Sequence, residues 1–536
     1  MRDSERGFAG LMVTGLATLL VLVLLLMLLW VVAANAVVWF WPTAISEVRL
    51  ADGAVFIGQL VGREPAEGTH GDRIRLKVGN RELTGRDFVW IDQGLVGSVS
   101  HPDDLVRVVR TKYGDAYGRV TEAVALDGTA VKGSDATAVA AVFDEAEAAQ
   151  RRLRMLERQQ ERVRRPLTSV EHRLHRLRRS RQALEPAAQE SIVKLEARQR
   201  RLEDQLEPEL ETLAAEAAAI RERLSAGEIV LDSGSGPVVV PMHQLVEAVW
   251  PNDLNMVRKT LLAATRCVHF LVDEPRSANT EGGIYPALFG TVLMVLLMSL
   301  AVMPLGVVAA VYLDEYATPG PLVRLVRRAI NNLAGVPSIV FGMFGLAFFV
   351  YGLGGAADRA FFADDLPAPT FGTGGILWAS LTLAVLTIPV VAVATREGLQ
   401  AVPRGWREGS RALGATRWQT LRTIVLPAAA PGMLTGFILA VGRAAGEVAP
   451  LMLTGAVKLA HGLPIDGEAP FVHLQRKFMH LGFHIYDVSM QSPDVEAAKP
   501  MAFAATVVLL GLVVAINLTA IFIRRRLHSV SHVLEE

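Results

Sequence analysis

Arg443 and Glu447 are the only charged residues between Pro431 and Thr454. On a helix their spacing puts both on one face. A guanidinium in apolar surroundings has two uses: pairing with that carboxylate as a structural element, or presenting its planar fork of donors to an anion in transit. Ser338 follows Pro337 at the start of another apolar run, where its hydroxyl can meet an anion or simply cap a helix. Gly432, Gly436, Gly442 and Gly446 are spaced for close helix packing. Four histidines, His461, His473, His480 and His484, gather before the last apolar run. Their spacing suits no metal, so the expectation is an interfacial or solvent-facing set. Cys267 is the one cysteine; it cannot close an internal disulfide and reads as a small buried hydrophobe. No Gly-Lys-Ser or Gly-Lys-Thr occurs in the chain, so no phosphate-gripping loop is expected here, and no catalytic, cofactor or metal residue is assigned.

A second constellation is defined by spacing. Glu408-Gly409-Ser410 is followed after three residues by Gly414, and after nine more by Ile424-Val425-Leu426-Pro427. That pattern predicts two short helices separated by a turn at Gly414, where the absence of Cβ permits positive φ. Leu426-Pro427 then leads into the next apolar run. Such a projecting amphipathic element on a stiff stem fits a groove on a soluble protein and can pass on its movement.

The elements that position these residues are membrane spans. Half of the 536 residues are hydrophobic (51%) and a fifth are charged (20%), and the apolar ones collect in runs long enough to cross about 30 Å of hydrocarbon as helix. Six runs qualify: Phe8–Trp41, Tyr285–Leu313, Val336–Leu353, Gly374–Ala394, Pro431–Thr454 and Met501–Ile523. The first is too long for a removable signal peptide and is read as a retained anchor. Arginines cluster after the second run (Arg324, Arg327, Arg328), after the fourth (Arg396 to Arg422) and after the sixth (Arg524, Arg525, Arg526), whereas 354–373 and 455–500 carry acids such as Asp358, Asp364, Asp365, Asp466 and Glu468. The positive-inside rule then predicts cytoplasmic termini, including the 528–536 tail, and an external segment from 42 to about 281. The formal net charge is zero, which gives no global argument for nucleic acid.

Within that external segment, 42–137 alternates in short stretches punctuated by Gly and Asp, predicting a small β-rich module. From 138 to 226 apolar residues recur at heptad spacing in two series, Val163 to Leu184 and Ile192 to Leu224, with Pro186 between them. An antiparallel helical hairpin is expected, a coiled coil with a basic first arm and a Glu-rich second arm, and with bends at Pro166 and Pro208. The basic arm lacks the interleaved aromatics that stack nucleic-acid bases. Strand-like sequence returns in the 227–281 connector.

The 408–427 spacing resembles the EAA loop of ABC import permeases, with Gly409 and Ser410 where that pattern has alanines. Further strings resemble the phosphate-specific permeases of the PstA type: Glu281-Gly282-Gly283-Ile284, Ala334 to Gly342, Thr387-Ile388-Pro389-Val390, Arg443 to Leu451, and Phe478 to Leu481 with Gln491-Ser492-Pro493. The resemblance covers about 280–527 and the first run in outline, not the insertion. It implies an all-α polytopic bacterial inner-membrane protein with a type I ABC importer core at 282–527. It further implies a homologous second permease, two separate ATPase subunits carrying ATP and Mg, and a periplasmic phosphate-binding protein. The pathway would run between the two permeases and include Arg443, Glu447 and Ser338. The alternatives are a permease for another oxyanion or small solute, and a non-transporting scaffold that uses ATPase coupling to move its outer hairpin.

Overall fold

The computed structural model describes all residues except 1, 65–71, 81–84, 86, 112–113, 180–185, 277–278, 364–365, 461, 468–470, 493–494 and 533–536. Leu184, Asp364, Asp365, His461, Glu468 and Pro493 therefore lie outside the described residues. Two compact units emerge, one from the chain up to Trp39 together with most of Phe270 onward, the other from Phe40–His269.

Among the described residues the first unit holds six helices long and apolar enough to span a membrane: Thr14–Phe40, Tyr285–Tyr316, Ser338–Phe361, Ile376–Ala401, Arg417–Gly446 and Ala498–Phe522. The fourth is the centre of the bundle, with 67% of its apolar window buried against 11–33% for the second, third, fifth and sixth. Met294, Val302, Leu383, Val391, Ala440, Ala444 and Phe478 form the common core. Small residues set the spacing between the fourth and fifth spans. A Cβ on Gly432 would stand 2.7 Å from the Cα of Gly398, and one on Gly436 would stand 2.6 Å from the Ala394 methyl. Gly442 and Gly446 have no such neighbour, so two of the four glycines do the packing expected of the set.

The fifth span differs from the Pro431–Thr454 window. Its helix begins at Arg417, passes through a π-helical turn at Leu421–Val425, where the amide of Leu426 donates to the carbonyl of Leu421, and accommodates Pro427 and Pro431. A local π turn is one way a membrane helix re-satisfies the backbone groups that proline frees. The helix stops at Gly446, Glu447 is extended, and a short helix resumes at Ala449–Thr454. Pro450 explains the break, since it has no N–H to give the Gly446 carbonyl and its ring would collide with it.

The second unit is built on two antiparallel sheets. One has the order β4-β3-β2-β1-β5, formed by Phe88–Asp92, Arg73–Lys77, Val55–Glu64, Ser46–Leu50 and Val96–Ser100. The other runs β10-β9-β7-β6-β11, formed by Pro237–Pro241, Glu228–Asp232, Ala116–Val124, Leu105–Arg110 and Leu245–Val249, with β8 (Ala130–Lys132) on β7. Between β8 and β9 the chain makes two long helices, Ala136–Arg179 and Pro186–Ala226, which run through Pro166 and Pro208. Leu156, Leu213 and Ala217 are buried between the arms. Among the described residues four ion pairs tie them: Arg152–Glu216, Arg178–Glu196, Arg221–Glu157 and Arg223–Glu145, at 2.6–2.9 Å. The base of the hairpin belongs to the sheet, because Val139, Val142, Phe143, Ala146 and Leu224 join the core formed by Val106, Val120, Ile229 and Val240. The connector after β11 contains a 17-residue helix, Met256–Val272, in place of an irregular or strand-like link. Cys267 sits exposed on that helix, against the expectation of burial. Val257, Leu261 and Val268 on the same helix are exposed too, so no core is built there to receive the thiol.

Candidate functional site

The 404–427 loop is two helices at a fixed angle. The first, Arg404–Ala412, ends in a left-handed residue, Gly414, at φ 86°. The second starts at Arg417, and its first turn carries a capping box in which Thr416 and Gln419 satisfy each other's backbone donors. Ser410 and Thr420 are 2.9 Å apart through their hydroxyls, so the serine that replaces an alanine of the pattern links the two helices. Glu408 and Gly409 face solvent, and no group lies within 4 Å of a Cβ built at Gly409. Ile424 is half-buried, Leu426 packs beside Leu421, Val425 and Leu399, and Pro427 is exposed. The loop is thus rooted in an apolar cluster at the end of the fourth span. Its tip presents Leu413, 91% exposed, between Trp406 and Trp418, both also exposed. Three large apolar side chains on a rigid solvent-facing turn are a contact surface in form. Spacing alone did not single them out, although an apolar residue directly before a turn glycine is a readable signal.

Arg443 and Glu447 meet, with Nε 3.4 Å from Oε1 and side chains 35% and 21% exposed. Arg443 lies in the last helical turn and Glu447 just beyond it, so they are a helix-end pair and not two residues on one helical face. A cation in that turn also complements the partial negative charge of the helix C-terminus. The short Ala449–Thr454 helix that follows packs on the start of the third span, where a Cβ on Gly342 would stand 2.8 Å from the Cα of Pro450. Ser338 opens that same third helix, half-buried; Pro337 is its cap and no side-chain hydrogen bond closes it, so Ser338 does not cap. No hydrogen bond among the described residues joins Ser338 to Arg443 or Glu447.

The histidines are placed differently from expectation. His473, His480 and His484 are buried, the latter two at the start of a helix, Leu481–Met490, that packs into the same unit. His480 Nδ1 accepts from the amide of Phe483 and caps this helix. Burial pushes His480 down to about 3, and burial, partly offset by Asp487, pushes His484 down to about 4. Both are neutral at ordinary pH. Composition could not reveal this, because polar residues outside a span read as exposed until the helices that cover them are assembled.

Residues 302–528 match the family described as binding-protein-dependent transport system inner membrane component. A probable ABC transporter permease protein, YqgI of Bacillus subtilis (strain 168), is 32% identical over 258 residues, covering 47% of this chain and 81% of the relative. The chain belongs to that family. This permease is also 33% identical over 243 residues to the phosphate transport system permease protein PstA 1 of Mycobacterium tuberculosis (strain CDC 1551 / Oshkosh), covering 45% of this chain and 71% of the relative. It is an ABC importer permease of the PstA type, a multi-pass membrane subunit. A bacterial ABC transporter involved in import of the acidic polysaccharide alginate superposes with a TM-score of 0.33 at 15% identity, covering 45% of this chain and 78% of the other. That likeness is too slight to bear on function. The family match begins at residue 302, so it does not include the β-sheet and hairpin unit.

Proposed function

We propose that this permease carries phosphate inward as one of two homologous membrane subunits, driven by two ATPase subunits that dock on the 404–427 loop and supplied by a periplasmic phosphate-binding protein. The observation that carries the reading is the loop itself: a pre-formed helix–turn–helix, turning at a glycine with φ 86° and continuous through Arg417–Gly446 with the fifth span. Movement of a partner against Leu413 and Glu408 would be delivered along that helix from Arg417 to Arg443 near its other end, about 26 residues at 1.5 Å each, or roughly 40 Å away. In this reading the loop is the EAA element, ATP and Mg are held by the partner, and this chain performs no chemistry of its own. Both termini lie in the cytoplasm, and the sheet unit with its coiled-coil hairpin lies outside.

Phosphate is favoured by the PstA relatives and by a guanidinium at the break in the fifth span, where its fork can meet two oxygens of an oxyanion as the pathway opens. The test is uptake into membrane vesicles containing the whole transporter, with labelled phosphate competed by sulfate, molybdate and neutral solutes. Phosphate uptake that needs ATP and resists the other solutes is the expected result; preference for another solute would replace the substrate assignment.

A further inference from the structure

The second span ends in a π-helical turn, Tyr312–Tyr316, closed by the amide of Ala317 donating to the carbonyl of Tyr312. It carries two adjacent acids, Asp314 and Glu315, both largely buried (12% and 14% exposed). Three arginines from three different elements converge on them. Arg407, on the first helix of the 404–427 loop, reaches Glu315 at 3.0 Å, and the same Nη2 donates to the Leu399 carbonyl at 2.6 Å. Arg396, near the end of the fourth span, stands 3.6 Å from Asp314, and Gln400 donates to the same carboxylate at 3.2 Å. Arg327, from the amphipathic helix Pro321–Leu333, stands 3.7 Å from Asp314 and also donates to the Leu313 carbonyl.

Two carboxylates therefore serve three guanidinium groups. Among the described residues the buried Nε atoms of Arg327, Arg396 and Arg407 have no hydrogen-bond acceptor, and Glu315 Oε1 meets its arginine without hydrogen-bond alignment. The three side chains as a whole are only partly buried, 21–38% exposed, but the donors buried without an acceptor leave this arrangement incompletely satisfied. We propose that Asp314 and Glu315 are positioning residues: an acidic hub on the second span that holds the loop helix to the second and fourth spans, so that displacement of the loop moves the bundle. This rests on the reading of 404–427 as the ATPase contact.

The experiment uses the whole reconstituted transporter in proteoliposomes and reads phosphate taken up per ATP hydrolysed, with ATPase co-purification alongside. Glu315→Gln and Arg407→Gln should each lower that ratio about fivefold, the size of a modest coupling free energy, while the ATPase still co-purifies. The double variant should be no worse than either single one, and Glu315→Asp should recover part of the ratio. An unchanged ratio in both single variants, or effects that multiply in the double, would overturn the hub. Gly414→Pro separates this from failure of the underlying reading. If Gly414→Pro lowers the ratio and Glu315→Gln does not, the hub alone is wrong; if neither does, both are wrong.

Discussion

Replacing Arg443 separates a structural pair from a pathway residue because the two roles differ in size. The Arg443–Glu447 contact is a single 3.4 Å approach between partly exposed side chains, 35% and 21%, too long and one-sided for a strong pair, and it contributes no more than about 1 kcal/mol. Its place in the last helical turn adds about 0.3–1 kcal/mol from the helix dipole. Arg443→Gln should therefore cost less than roughly 2 kcal/mol of stability, too little to prevent insertion and assembly. If the guanidinium instead donates two charge-assisted hydrogen bonds to phosphate in the crossing state, their loss at about 1.5–3 kcal/mol each lowers uptake at least about a hundredfold. Arg443→Lys keeps the charge and loses the fork, and should recover only part of that. Exchange of the two residues is a weaker control than a helical pair would allow, since Glu447 is on extended backbone at φ −79° and ψ 126° and a glutamate at 443 would oppose the dipole. The assay is phosphate uptake in vesicles at matched expression, with ATPase co-purification as the check on assembly. Uptake by Arg443→Gln within a factor of about three of wild type would refute the reasoning, because loss of even one charge-assisted hydrogen bond to phosphate should cost more than about tenfold.

Four other outcomes are expected. Gly414→Pro or Glu408→Lys should leave the protein inserted but uncoupled; wild-type ATPase co-purification together with normal uptake would contradict the loop assignment. Removing 157–212 and joining Leu156 to Leu213, which share one buried cluster, by a short Gly/Ser linker should retain uptake. Deleting 138–226 instead removes Val139, Val142, Phe143 and Leu224 from the sheet core at about 2–5 kcal/mol each, so proteolysis of the second unit should distinguish the two deletions. Gly432→Ala and Gly436→Ala should lower thermal stability in detergent, because each Cβ would stand 2.6–2.7 Å from the facing helix, whereas Gly446→Ala, with open space around it, should not. His480 and His484 have folded values depressed from 6.5 to about 3 and about 4. Below about pH 6.5 the unfolded chain binds more protons, so stability is lost as pH falls toward those values, by about 1.4 kcal/mol per unit for each ring. His480→Asn keeps a cap and removes one titration, so the acid-side slope of melting temperature should fall by about half; an unchanged slope would exclude His480 as its source.

What the sequence by itself determined is whatever depends on neighbours in the chain. Six apolar runs are legible because spanning needs only length and hydropathy, and the turn at Gly414 because positive φ there needs only a missing Cβ. The two arms meeting at Pro186 are legible from the 3.5-residue repeat. The break at Glu447 was written locally too, in Pro450, but an apolar window averages across it. Tertiary structure alone decided the rest. β7 pairs with β9 across more than 100 intervening residues that include β8 and the hairpin, and nothing in either strand names its partner, since alternation states which face is buried and not against what. His480 and His484 became neutral core residues only when the bundle closed over them. Asp314 and Glu315 sit 81 or more residues before Arg396 and Arg407, and their meeting is a product of helix packing. Local patterns fix what a segment is; the energies that place it against another segment come from contacts between residues far apart in the chain.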